Sequence, residues 1–92
     1  RVAVHHEAVL EAAVVGVPHE KWGETPCAYI VPAQGTANID TLALKDWINA
    51  RVGRHERVSH VVLMETLPRN AGGKILKREL RDAFVPPSGG TG

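Results

Sequence analysis

Two valine-rich runs close together in the chain constrain the fold more than any other feature. Val9 to Val17 is rich in Val and Ala and bounded by Gly and Pro, which favours a strand over a helix. Pro26 to Val31, with Tyr29, Ile30 and Val31 in succession and Pro32 closing it, reads as a second strand. The break between them, Gly16 to Glu24, carries Gly16, Pro18 and Gly23, so the runs are expected to pair antiparallel across a loop. In that loop Gly23 is expected to take a positive φ and Trp22 to cover the edge of the core. A third apolar run, Val58 to Met64, adds one more strand.

Helical spacing appears twice. Leu44, Trp47, Ile48 and Val52 share one face of a helix predicted over Thr41 to Val52, with Asn38 or Asp40 as N-cap, Gly53 as terminator, and Lys45 and Asn49 pointing outward. Ile75, Leu76, Leu80 and Phe84 form the apolar side of a last helix predicted over Ile75 to Phe84. Residues 1 to 8 read as the frayed end of a preceding helix. The expected order is (helix end)-β-β-α-β-α, an α+β fold with a small three-stranded sheet covered by helices. Residues 1–85 form the domain, and 86–92, PPSGGTG, read as a disordered tail.

Ninety-two residues allow one domain with one modest core, leaving little room for an internal active site. Any catalysis would therefore need a partner surface. The balance of 11 Lys and Arg against 10 Asp and Glu, a net +1, speaks against nucleic-acid binding. No apolar run approaches a transmembrane segment, and no signal peptide is visible. The single Cys27 rules out an internal disulfide and lacks an activating neighbour, which fits a reducing cytoplasm. His5, His6, His19, His55 and His60 lack metal-ligand spacing, so surface or capping roles are expected and no metal site. The chain begins at Arg1 and has its one methionine at Met64, as expected for a piece of a longer or processed protein.

The segment with most chemistry is Leu67 to Leu80, LPRNAGGKILKREL. A lysine directly after two glycines can be brought close to an anion, although a solvated lysine in a strand-to-helix turn meets the same pattern. A phosphate loop of the form GxxxxGK[ST] is excluded, because Pro68 and Ile75 stand where Gly and Ser or Thr are needed. Lys74, Lys77, Arg78 and Arg81 make one side of the last helix basic, but Glu79 and Asp82 interleave as on a solvated face.

Pro68-Arg69, then Gly73-Lys74-Ile75, Lys77 and Leu80, following a strand, resemble the last motif of the acyl-adenylate-forming enzymes. That superfamily comprises acyl-CoA synthetases, peptide-synthetase adenylation domains and luciferases. Upstream, His6 to Pro18, HEAVLEAAVVGVP, followed by Trp22-Gly23-Glu24, is similar to a stretch of their C-terminal domains. The resemblance covers residues 5 to 84 and is strongest to fatty-acyl or related carboxylate CoA ligases. It implies the small mobile domain of an AMP-forming ligase whose large N-terminal adenylating domain lies on the same chain. It further implies ATP, Mg2+ and CoA as substrates or cofactor, and a carboxylic, fatty-type acid as the other substrate. Lys74 would be the catalytic lysine of adenylation, and Gly72, Gly73 and Arg69 would be cofactor-binding. The isolated chain would bind none of these groups and be inactive.

The pattern departs in places. Gly72 stands where the family often has Thr or Ser, and His55-Glu56-Arg57-Val58 replaces its Tyr-Lys-x-Pro. The hinge motif lies upstream of this region in the family, so no CoA contacts carry over. The competing expectation is a stand-alone, non-enzymatic interaction module that keeps the fold.

Overall fold

A computed structural model describes residues 2–33 and 39–85. Asn38 and the tail 86–92 lie outside the described residues. The elements are β1 (Val9–His19), β2 (Gly23–Pro32), α1 (Thr41–Asn49), β3 (His60–Leu63) and α2 (Lys77–Asp82), with short 3-10 turns at Val2–His5 and Arg54–Glu56. The α+β class and the β-β-α-β-α order stand, while the N-terminal residues form a 3-10 turn instead of an α-helix end.

β1 and β2 pair antiparallel, with Val15 opposite Cys27 and His19 opposite Gly23. β3 then lies parallel to β2, from Cys27↔His60 to Ile30↔Leu63, because α1 carries the chain back across the sheet. The order β1-β2-β3 makes β2 central, and Cys27 to Val31 are all buried. Alternation along the strands divides the core. Ala13, Val15, Val17, Cys27, Tyr29 and Val31 meet Leu67 and Leu80 on one face. Ala28 and Ile30 meet Leu44, Ile48 and Val58 on the other. Val9 belongs to the second face although its number is odd, because the register steps from Val9↔Pro32 to Glu11↔Val31. Leu10 is the extra residue of that bulge and stays exposed.

The hairpin between β1 and β2 is tighter than the sequence suggests. Both strands run past the expected loop, leaving only residues 20–22 as the turn. Gly23 does take a positive φ, +77°. The His19 Nδ1 accepts hydrogen bonds from the Lys21 and Trp22 amides at 3.0 and 3.2 Å, closing the turn through a side chain. Trp22 does not cover the core: it is 67 % exposed and stacks on His19.

α1 is capped by Asp40, whose carboxylate accepts from the Leu42 and Ala43 amides at 3.0 and 3.1 Å. The helix stops at Asn49, short of Val52, and buries Leu44 and Ile48. Trp47 is only half-buried at the rim, edge-on to His6, with the Arg51 guanidinium 4.0 Å from its ring centre. Asn49 turns inward: its amide donates to the Val58 carbonyl at 2.9 Å and accepts from the Val58 amide at 2.8 Å. That clamp occupies both backbone groups of Val58, so β3 starts later than the apolar run.

Candidate functional site

The Lys74 loop is a second hairpin, laid over the sheet face opposite α1. Leu67 is buried in that face and anchors the entry. Outward from it, the Leu76 amide donates to the Pro68 carbonyl (2.9 Å), Arg69 and Ile75 form an antiparallel bridge, and the Asn70 amide donates to the Lys74 carbonyl (3.0 Å). These pairings are why α2 begins at Lys77 and not at Ile75: Ile75 and the Leu76 amide are spent on the hairpin, and the Leu76 carbonyl opens the helix as its N-cap, accepting from the Glu79 and Leu80 amides. Phe84 likewise lies past the end of α2, with its ring 5.2 Å from that of His60.

Residues 71–73 form the loop, closed by the Gly73 amide on the Asn70 carbonyl at 3.0 Å. Three-residue hairpin loops place their last residue in the left-handed region, and Gly73 has φ +88°. A side chain there would strain the loop. Gly72 is different, since a Cβ would come no nearer than 3.4 Å to the Asn70 carboxamide oxygen. A Thr or Ser fits that position, so the departure at Gly72 leaves the loop shape unchanged.

Asn70 and Arg69 hold the loop from two sides. The Asn70 carboxamide oxygen accepts from the Gly72 and Lys74 amides at 2.9 and 3.0 Å. The Arg69 guanidinium donates to the Gly73 carbonyl at 2.8 Å and, through its other terminal nitrogen, to the Glu11 carboxylate on β1. Ile75 packs toward the core, so alternation sends Lys74 the other way. The Lys74 side chain is exposed and makes no hydrogen bond or ion pair with the described residues.

On α2, Arg81 pairs with Glu24 at 2.9 Å, and Lys77 and Arg78 line the same shallow depression beside Val15 and Gly16. The expected basic side is thus partly neutralised by β2. The Tyr29 hydroxyl donates to the Leu80 carbonyl at 2.9 Å, reaching a carbonyl of the last helical turn. Burial, reinforced by the neighbouring Cys27, pushes the Tyr29 phenol up to about 12. Burial pushes the Cys27 thiol up to about 11, which leaves it protonated and inert. His6 and His19 accept turn amides, the capping role expected of them. Among the described residues, no group of three or more His, Cys, Asp or Glu could hold a metal.

Sequence reasoning passed over Asn70 and Glu11. Asn before a Gly-Gly pair is a local turn signal that could have identified the first. No local signal marks the second, which lies 58 positions from its partner.

The sequence pattern of the AMP-binding enzyme C-terminal domain matches residues 1–74, ending on the candidate lysine. The chain belongs to the AMP-binding enzyme C-terminal domain family. Its relatives in this family are large. A 3-methylmercaptopropionyl-CoA ligase of Ruegeria lacuscaerulensis is 40 % identical over 83 residues, which are 90 % of this chain and 15 % of the ligase. The Mycobacterium tuberculosis fatty acyl CoA synthetase superposes with a TM-score of 0.78 at 35 % identity, covering 90 % of this chain and 16 % of that one. An amide bond synthetase from Marinactinospora thermotolerans superposes with a TM-score of 0.81 at 34 % identity, covering 90 % and 17 %. This AMP-binding enzyme C-terminal domain thus spans about a sixth of the proteins it resembles. No helix among its described residues is long and apolar enough to cross a membrane.

Proposed function

We propose that this chain, over residues 1–85, is the small domain of an AMP-forming acid-CoA ligase and that Lys74 is its catalytic lysine of adenylation. A large adenylating domain on the same chain would bind ATP and a carboxylic acid, fatty or related. In the first half-reaction a carboxylate oxygen attacks the α-phosphorus of ATP, and the bond to pyrophosphate breaks to give acyl-AMP. In the second, the CoA thiol attacks the acyl carbon, loses its proton, and AMP leaves.

One observation carries this reading: a lysine whose side chain has no hydrogen-bond or ion-pair partner among the described residues stands on a loop whose backbone is held by Asn70 and Arg69. A preorganised charge that needs no reorganisation is what stabilises negative charge developing on a departing phosphate. An ammonium suits this role because it is a compact point charge, and the held backbone of the loop fixes where its side chain starts. Gly72 and Gly73 keep the loop narrow enough for a nucleotide to approach its backbone, and Arg69 at its base, its charge balanced by Glu11, holds the Gly73 carbonyl. Mg2+ would enter with ATP, and no step is assigned to it. The free thiol of Cys27 suits a reducing compartment such as the cytoplasm.

The two half-reactions of the intact ligase test the assignment when measured separately. Lys74→Ala is expected to slow acyl-AMP formation by at least about 10²- to 10³-fold. Thioester formation from supplied acyl-AMP and CoA is expected to continue near the wild-type rate. Equal loss in both would make Lys74 structural, and loss in neither would make it a solvated lysine. The chain alone, given ATP, Mg2+ and a panel of acids, is expected to release no pyrophosphate. The amide bond synthetase among its structural neighbours favours a second reading for the acceptor alone, an amine in place of CoA. Supplying amines with acyl-AMP discriminates the two.

A further inference from the structure

The peptide between Gly73 and Lys74 is pinned at both of its polar ends. Its carbonyl receives the Arg69 guanidinium at 2.8 Å, and its N–H donates to the Asn70 carboxamide at 3.0 Å. The pins matter because Gly73, at φ +88°, has no side chain to restrict rotation on its side of that peptide. With the Lys74 carbonyl already held by the Asn70 amide, the orientation of this peptide plane sets where the Lys74 side chain departs. Arg69 can hold the carbonyl only while its own long side chain is held, and its other terminal nitrogen is bound to Glu11. Glu11 reaches it because it alternates in phase with Ala13, Val15 and Val17 on that face, and the bulge at Leu10 sends only Val9 to the other side. Beyond the bulge, odd positions face the hairpin, whereas before it Val9 faces α1.

Resting on the assignment of Lys74 above, we propose that Glu11 is a positioning residue for adenylation: through Arg69 it fixes the Gly73 carbonyl and so the direction in which Lys74 leaves the loop. Both partners of the ion pair are more than a third exposed, at 41 and 36 %, and pairs so exposed contribute little to stability. The value of this pair is therefore directional. Misplacing a reacting group by about an ångström can cost on the order of 10²-fold in rate, so loosening one pin is expected to cost about tenfold.

The test uses the intact ligase with Glu11→Ala, Arg69→Ala, their double variant and Lys74→Ala, each assayed in the separate half-reactions. Glu11→Ala is expected to lower kcat for acyl-AMP formation about tenfold, with KM for ATP and the rate of thioester formation within about twofold of wild type. The double variant is expected to be no slower than Arg69→Ala alone, because Glu11 acts only through Arg69. Hydrogen exchange across 70–76 is expected to quicken in Glu11→Ala without a change in the unfolding temperature. Additive losses in the double variant, or equal losses in both half-reactions, would overturn the proposal. Impaired Lys74→Ala with unimpaired Glu11→Ala would remove the role of Glu11 and leave the catalytic lysine standing. Unimpaired Lys74→Ala would remove both.

Discussion

Helix α1 covers one face of the sheet with nine residues that carry their own cap at Asp40 and their own apolar pair, Leu44 and Ile48. The opposite face is covered by the Lys74 hairpin and by α2, six residues with no side-chain N-cap and one buried side chain, Leu80. A helix so short is marginal by itself, so distant side chains stabilise this cover. Tyr29 reaches the Leu80 carbonyl across 51 positions, Glu11 reaches Arg69 across 58, and Glu24 meets Arg81. The difference assigns different work to the two faces. The α1 side is built from local preference and is suited to hold the sheet. The hairpin side takes its geometry from the sheet, as a loop presenting one charge must if that charge is to have a defined direction.

This contrast can be broken most severely at Leu80. Leu80→Ala should destabilise the isolated chain by about 2 to 5 kcal/mol, and native-state hydrogen exchange should show the loss over the hairpin and α2 before α1. Equal loss of protection on both faces would mean that the two covers are one cooperative unit. Tyr29→Phe removes a buried hydroxyl and leaves the Leu80 carbonyl unpaired, with an expected cost of about 1 to 3 kcal/mol in denaturant unfolding. On the other face, Asp40→Ala should cost about 1 kcal/mol and speed exchange only in the first turn of α1.

The smallest effect expected is on pH dependence. Burial, with smaller contributions from Lys45 and His19, lowers the pKa of His60 below its ordinary 6.5. The unfolded chain therefore takes up that proton first as pH falls. Stability should be complete above about 6.5 and decline below it, levelling once the folded form is also protonated. Thermal unfolding followed from pH 7.5 to 5 should show the decline, and His60→Asn should flatten it.

The sequence was most informative where neighbours along the chain decide the structure. The valines of β1, the run Cys27 to Val31, the cap at Asp40 and the left-handed Gly23 are local matters of steric preference, burial period and turn chemistry. The turn of the Lys74 segment was legible for the same reason, because Asn70 and the two glycines supply its local hydrogen bonds and its left-handed residue. Local pattern misled where a residue had a better partner outside its own helix. Asn49 has the spacing of an outward residue but meets the backbone of Val58, whereas Trp47 packs on the face its spacing predicts, beside Leu44 and Ile48, but only half-buried at the rim near His6 and Arg51. Ile75 and Leu76 have helical spacing, but the Ile75 backbone and the Leu76 amide belong to the hairpin. Thus the sequence by itself determined the elements and their order. Only the tertiary structure decided that Glu11 meets Arg69, because the two lie 58 positions apart and come together only when the hairpin is laid over that face of the sheet.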